Sequence, residues 1–176
     1  MKTAGIYIHI PFCKSKCNYC DYYSLEKREK DIPGFVEMLM REIEFTAKEH
    51  NKDWLFDTIY FGGGSPALLS SNDIQDILDK LYHHFNISEN IEVTLEVNPG
   101  EIIKNGLLSI KESGVNRLSI GFQSLDPILL NTLSRTHKLD DCFIMYDNAR
   151  KTGFDNISID MLYNIPGQTV ESWMKD

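Results

Sequence analysis

The chain has 176 residues, 42% of them apolar and 25% charged, which is the composition of a globular domain with a core of its own. Its formal net charge of −8 argues against non-specific electrostatic binding of nucleic acid, because such binding needs basic residues that neutralise phosphates. No apolar run is long enough to cross a membrane and the first residues lack the layout of a signal peptide, so a cytoplasmic protein is predicted.

Five predicted strands alternate with predicted helices along the chain. Each strand is a short run with apolar side chains at alternate positions, whereas the segments between strands place them three and four residues apart. Ser70 followed by Asp73 resembles a capping box that begins a helix, and Gly114 and Gly153 are suited to end two others. The predicted strands cover residues 4–10, 57–61, 91–97, 117–123 and 156–163, and a last helix is predicted from about residue 169.

Two helical segments have apolar stripes that predict which helix face packs on the sheet. The first stripe comprises Phe35, Met38, Leu39, Ile43 and Ala47, and the second comprises Leu139, Phe143, Tyr146 and Ala149. His83, His84 and His137 are predicted to be solvated or structural, and the adjacent pair cannot share one helix face.

Every predicted strand has one apolar and one polar face, because successive side chains point to opposite sides. A central strand of an open doubly wound sheet would be apolar on both faces. A barrel with a polar lumen fits better, and its functional site is expected at the C-terminal ends of the strands. The predicted fold is therefore α/β, a partial (β/α) barrel with about five βα units. The last helix stops after about two turns, which predicts the N-terminal part of a longer protein.

Cys13, Cys17 and Cys20 follow the first strand with the spacing C-x3-C-x2-C. A disulfide framework favours an even number of cysteines, and a zinc module needs a fourth ligand, for which His9 or Cys142 is the candidate. Three thiolates can instead hold three irons of a cubic iron–sulfur cluster, normally closed by four cysteines, and leave one iron open. Cys142 itself is better explained as a small buried core residue.

Further polar and glycine-rich segments end the later strands. The run 62–66 (GGGSP) is either a flexible turn or backbone that approaches a ligand too closely for any Cβ; beside the cysteines, a ligand contact is favoured. Glu96, Gln123 and Asp160 lie on the same face of successive strands and predict a polar pocket, because buried carboxylates need partners. Arg135, on the sequence alone, has the features of a surface charge.

Taken in order, these motifs resemble the oxygen-independent coproporphyrinogen III oxidase-like family of the radical S-adenosylmethionine (SAM) superfamily. The resemblance covers nearly the whole chain and implies that residues 1–176 form the N-terminal part of a radical SAM core domain. The motifs are YIHIPFC (7–13), CNYCD (17–21), GGGSP (62–66), EVNP (96–99), RLSIGFQS (117–124) and IDMLYNIPGQT (159–169).

The family resemblance also implies two cofactors. Cys13, Cys17 and Cys20 would hold a [4Fe-4S] cluster whose open iron binds SAM. Reduction of the cluster would cleave SAM to methionine and a 5′-deoxyadenosyl radical that abstracts hydrogen, while the protein orients the reactants. The implied SAM contacts are Tyr7, Tyr19, Gly63, Gly64, Ser65, Glu96, Gln123, Arg135 and Asp160. Ser65 stands where the family usually has threonine and keeps the hydroxyl.

Two branches of the family differ just after the third cysteine. In coproporphyrinogen dehydrogenases the motif is similar to C-x3-C-x2-C-x-C, with a fourth cysteine two residues after the third. In this chain Tyr22 occupies the position of that fourth cysteine. This segment is similar to that of HemW-like haem chaperones, which bind haem and pass it to haem-requiring acceptor proteins. A haem chaperone that binds SAM is therefore the first hypothesis.

Other functions stay open. The second hypothesis is an enzyme that oxidatively decarboxylates coproporphyrinogen III to protoporphyrinogen IX, and the third is a zinc-stabilised interaction module. SAM cleavage by the full-length protein is compatible with either of the first two hypotheses. Nucleic acid is not an expected partner at this net charge, which disfavours a radical SAM enzyme acting on tRNA.

Overall fold

The computed structural model describes residues 2–50 and 54–176. Within these ranges the chain forms parallel strands interleaved with helices, as the hydrophobic periodicity predicts. The elements are β1 (Lys2–Ile10), β2 (Phe12–Cys13), β3 (Leu25–Glu26), α1 (Ile32–His50), β4 (Trp54–Gly63), α2 (Ser71–His84), β5 (Ile87–Val97), α3 (Lys104–Glu112), β6 (Arg117–Gln123), α4 (Pro127–Thr132), α5 (Leu139–Lys151), β7 (Asn156–Met161) and α6 (Val170–Lys175).

The main sheet has five strands in the spatial order β1-β4-β5-β6-β7, and β2 pairs separately with β3. All four pairings of the main sheet are parallel. An open doubly wound sheet reverses its strand order at a switch point, whereas here each new strand is added to the same edge, as in a barrel. The predicted α/β class and partial (β/α) barrel are confirmed.

The two faces of the sheet differ in polarity, as the strand pattern predicts. The apolar side chains of the strands lie on the face of the sheet that the helices cover. They are buried and pack with the helices into one core. These sheet residues include Ile10, Ile59, Phe61, Val93, Leu95, Leu118 and Ile120. The opposite face carries Tyr60, Thr94, Glu96 and Ser119, and it forms the lumen side of the partial barrel. Ile159 is 42% exposed because β7 is an edge strand in the described sheet.

Helix termini follow the predicted capping chemistry. The Ser70 hydroxyl accepts a hydrogen bond from the Asp73 N–H at 3.1 Å, and the Asp73 carboxylate accepts from the Ser70 N–H at 3.0 Å, which forms the capping box at α2. Gly114 and Gly153 have φ values of +110° and +88°, the left-handed conformation that ends helices. None of the helices in the described part of the chain is long and apolar enough to cross a bilayer.

The two predicted helix faces are partly wrong. In α1, Met38 is 58% exposed, while the other four residues of the stripe pack on the core. In α5, Phe143 is 52% exposed, and the buried residues are Cys142, Met145 and Ala149. Several neighbouring positions of α5 are apolar, including the exposed Ile144, so the hydrophobic pattern alone does not decide which face is buried. The prediction that Cys142 is a small core residue is confirmed.

Candidate functional site

The cysteine loop is folded back beside the C-terminal end of β1. Phe12 and Cys13 pair with Leu25 and Glu26, so that the loop between β2 and β3 is closed at its base. The Cys20 N–H donates to the Cys17 carbonyl at 3.2 Å, which makes a tight turn inside the loop. These two-residue strands are too short for any sequence pattern to predict.

The three cysteines of the loop share one cavity. All three are free, half-buried thiols, and they line a cavity of about 350 Å³ at the C-terminal edge of the sheet. The same cavity is lined by Tyr19, Gly64, Ser65, Asn98, Glu101 and Arg135. The structure therefore brings the cysteine triplet to the C-terminal edge of the sheet, whereas Glu96, Gln123 and Asp160 of the predicted polar pocket are not among the residues that line this cavity.

The glycine run lies directly against the cysteine loop. The Gly64 N–H donates to the Ile10 carbonyl at 2.8 Å, and the Ser65 N–H donates to the Phe12 carbonyl at 2.7 Å. A Cβ on Gly64 would lie 2.5 Å from the Phe12 oxygen and 2.9 Å from Cys13 Sγ. Such contacts are far too short, so glycine is required at this approach. The alternative of a flexible turn does not account for these bonds.

Glu96 is held on the lumen face of the sheet. Its carboxylate accepts hydrogen bonds from the Tyr60 hydroxyl at 2.8 Å and from the Gly63 N–H at 3.2 Å. Burial raises the pKa of Glu96, and the charge of nearby Asp160 raises it further, while the two hydrogen bonds oppose the shift. Asp160 accepts a hydrogen bond from the Ser119 hydroxyl at 3.0 Å. Two carboxylates on one face make this part of the lumen suited to a cationic group.

Arg135 lies at the cavity and not on the open surface, which corrects the interpretation from the sequence alone. One terminal nitrogen, Nη2, donates to the Asn98 side-chain oxygen at 2.5 Å and to the Gly121 carbonyl at 2.9 Å. The other, Nη1, lies 3.6 Å from Cys17 Sγ. Nε is buried and has no hydrogen-bond partner in the described part of the chain. The guanidinium therefore places a positive charge, with one unused donor, beside the thiols.

Sequence reasoning missed Glu101, whose carboxylate connects two of the loops around the cavity. Both of its oxygens lie 2.7 Å from the Ser65 hydroxyl, and one accepts from the Asn98 N–H at 3.1 Å. The Asn98 side-chain amide also donates to the Ser65 hydroxyl at 3.4 Å. The only signal in the sequence is a carboxylate just after the Asn-Pro-Gly turn that ends β5.

Of the remaining predicted residues, Tyr19 lines the cavity, whereas Tyr7 and Gln123 do not. The Tyr7 hydroxyl lies 3.2 Å from His9 Nδ1 on the lumen face, and Tyr19 packs on Leu129 and Leu133 near the cysteines. Gln123 has φ +70°, and a Cβ on Gly121 would lie 2.7 Å from its side-chain nitrogen. This places the Gln123 amide over the same stretch of β6 that Arg135 contacts. The run Gly63–Ser65 connects the cavity with the carboxylates of the lumen.

The donor set suits a cluster better than a single ion. In residues 2–50 and 54–176, no group of three or more His, Cys, Asp or Glu side chains could hold one metal ion. A cubic cluster takes one thiolate at each of several irons, so its ligands need not converge on one point. Arg135, Lys14 and Lys16 also line the cavity and favour the negative charge of thiolate-bound iron. A zinc site on these thiols has no comparable support.

The sequence predicted that His137 is either solvated or structural. It is a buried residue of the cavity wall, so it is structural. It is 7% exposed, and its Nε2 lies 3.2 Å from the Phe122 carbonyl, which can only accept a hydrogen bond. Burial, with the neighbouring Arg135 charge, lowers the pKa of His137 to about 4. The imidazole is therefore neutral at pH 7, with its proton on Nε2.

This buried histidine predicts a loss of stability in acid. The unfolded chain protonates His137 near pH 6.5, whereas the folded chain does so only near pH 4. Stability is therefore lost as the pH falls through this window, by about 2 kcal/mol at this residue. The free energy of unfolding, measured by urea denaturation at pH 7 and at pH 4.5, should fall less in His137→Gln than in the unsubstituted protein. The exposed His83→Gln is the control, and an equal loss in both variants would contradict the assignment.

Comparisons with known proteins agree with this geometry. A sequence model of the Radical SAM superfamily matches residues 7–176. The chain is 37% identical over 173 residues to "Heme chaperone HemW" of Bacillus subtilis, covering 97% of this chain and 45% of the relative. It is 29% identical over 171 residues to "Oxygen-independent coproporphyrinogen III oxidase" of Bradyrhizobium diazoefficiens, covering 97% and 38%.

A solved structure has the same fold. The coproporphyrinogen III oxidase HemN from Escherichia coli matches with a TM-score of 0.88 and 27% identity, over 99% of this chain and 40% of that one. The chain thus spans less than half the length of the two curated relatives and of this structure.

Proposed function

The chain belongs to the radical SAM superfamily, and from this membership we propose that it carries the cluster and SAM site of a HemW-like haem chaperone. The observation that carries the proposal is the shared cavity in which three free thiols, the glycine run and Arg135 meet. Residues 1–176 are then part of a radical SAM core domain. The superfamily implies SAM and a [4Fe-4S] cluster. The proposal adds haem as the cargo and a haem-requiring protein as its acceptor.

Cys13, Cys17 and Cys20 would hold the cluster. When bound, it supplies low-potential one-electron chemistry and an open iron for SAM. The chain's own contribution is positional. Gly64 and Ser65 bring the backbone of the glycine run to the cysteine loop, and the loop keeps the thiols half-buried at one side of the cavity.

SAM is a zwitterion with an additional sulfonium charge, and the site offers a complement for each part. Arg135, with its unused Nε donor among the described residues, would bind the carboxylate. Glu96 and Asp160 would face the cationic groups, and the raised pKa of Glu96 would fall when a cation binds beside it. Gly63 and Ser65 would lie along the ligand, and Tyr7, Tyr19 and Gln123 would complete its surroundings.

Two features favour haem handling over porphyrinogen oxidation. Tyr22, at the position of the dehydrogenases' fourth cysteine, is 64% exposed. Tyr7 and Tyr23 are exposed as well, and both rings lie near the His9 ring. Exposed aromatic rings close to the cysteine loop would suit a planar macrocycle. The higher identity to the HemW relative points the same way. Porphyrinogen oxidation is the second candidate, because the HemN structure matches with a TM-score of 0.88.

Anaerobic reconstitution of the full-length protein tests the proposal. We expect iron and sulfide in the ratio of a four-iron cluster, and an EPR spectrum of the reduced protein that changes when SAM is added. Titration with haem, followed by absorbance, should saturate, and incubation with coproporphyrinogen III and SAM should give no protoporphyrinogen IX. A spectrum insensitive to SAM would overturn the open-iron assignment. Turnover of coproporphyrinogen would establish the second candidate in place of the first.

A further inference from the structure

A continuous chain of hydrogen bonds runs from the turn after β5 to the cysteine loop. Asn98 lies at its centre. Its backbone N–H donates to the Glu101 carboxylate at 3.1 Å, and its side-chain amide donates to the Ser65 hydroxyl at 3.4 Å. Its side-chain oxygen accepts from Arg135 Nη2 at 2.5 Å, and Arg135 Nη1 lies 3.6 Å from Cys17 Sγ.

These bonds leave the Asn98 side chain with one orientation. The amide nitrogen is directed to Ser65, which Glu101 holds at 2.7 Å, so the amide oxygen must face Arg135. Two acceptors, the Asn98 side-chain oxygen and the Gly121 carbonyl, therefore hold the guanidinium at Nη2. Because a guanidinium is planar, fixing Nη2 in this way also sets where Nη1 points, which is towards Cys17.

A fixed positive charge at a thiolate ligand affects the redox chemistry of a cluster. One-electron reduction of a four-iron cluster by a low-potential donor adds one negative charge and breaks no bond. The reduced form is therefore stabilised more than the oxidised form by a nearby cation and by a hydrogen bond to sulfur. The effect depends on distance, so a residue that holds the cation in place contributes to it.

The geometry points to Asn98 as a positioning residue that holds the Arg135 guanidinium on Cys17 and so raises the midpoint potential of the cluster. This inference rests on the proposed function, because it requires a cluster on Cys17. It assigns Asn98 an effect through Arg135, and no contact with the cluster of its own.

The test is an EPR-monitored potentiometric titration with dithionite on reconstituted full-length protein. Asn98→Ala and Arg135→Gln should each lower the midpoint potential. In the Arg135→Gln background, Asn98→Ala should add no further shift, because the residue through which it acts is already gone. Asn105→Ala, an exposed asparagine of α3, should leave the potential unchanged. Circular dichroism melting of the apo-protein reports folding; if Asn98→Ala does not fold, Asn98→Ser replaces it, since serine is too short to reach Arg135.

Failure of the inference is distinct from failure of the proposed function. An unsubstituted protein that binds no cluster overturns both. A normal cluster whose potential does not change in Asn98→Ala overturns the inference alone. A shift of equal size in the unsubstituted and Arg135→Gln backgrounds also overturns it, because Asn98 would then act independently of Arg135.

Discussion

Replacing Cys17 by alanine is expected to remove nearly all iron and acid-labile sulfide from the anaerobically reconstituted full-length protein. With Cys17 gone, two thiolates remain for four irons, and Arg135 Nη1 loses the sulfur that it faces. Iron and sulfide analysis and EPR of the reduced sample measure the loss. An intact four-iron spectrum in Cys17→Ala would contradict the ligand set.

Cys142→Ala is the matched control, because it removes a thiol that lies outside the cysteine loop. Cys142 is fully buried in α5, and burial raises the pKa of its thiol to about 11, so it is neutral at pH 7. Its replacement leaves a small cavity and should cost about 1 kcal/mol of stability. The iron content and the EPR spectrum should be unchanged. Loss of the cluster in this variant would restore Cys142 as a candidate ligand.

Gly64→Ala is expected to prevent cluster assembly and to destabilise the apo-protein by about 2–3 kcal/mol. The new Cβ would lie 2.5 Å from the Phe12 carbonyl oxygen and 2.9 Å from Cys13 Sγ. Relief of these contacts requires a backbone shift that breaks the bonds from Gly64 to Ile10 and from Ser65 to Phe12. Urea denaturation and iron analysis measure the two effects.

Gly34→Ala is the control for Gly64→Ala, because it adds the same Cβ at a position where nothing is near it. A Cβ on Gly34, an exposed residue of α1, meets no atom within 4 Å. Alanine also has the higher helix propensity, so this variant should be more stable by up to about 1 kcal/mol and should keep its cluster. If Gly64→Ala behaved like Gly34→Ala, the close approach of the glycine run to the cysteine loop would be contradicted.

Much of the fold could be predicted, because its signals are local. Alternation of polar and apolar residues reflects the geometry of a single strand, and the polar face repeated in each strand already indicated a lumen. The Ser70 capping box and the helix ends at Gly114 and Gly153 follow from the chemistry of a few neighbouring residues. The errors at Met38 and Phe143 arose where two overlapping helix faces were both apolar, and only packing against the sheet decides between them.

The candidate site divides in the same way. The spacing of Cys13, Cys17 and Cys20 is a local pattern, and the sequence by itself determined that these thiols share one loop. The partners of that loop come from distant segments: Arg135 lies 118 residues from Cys17 and 37 from Asn98. Which side chains meet there depends on strand register and on the order in which the strands join the sheet. Those are properties of the assembled barrel, so only the tertiary structure could place Asn98, Glu101 and Arg135 around the cysteines.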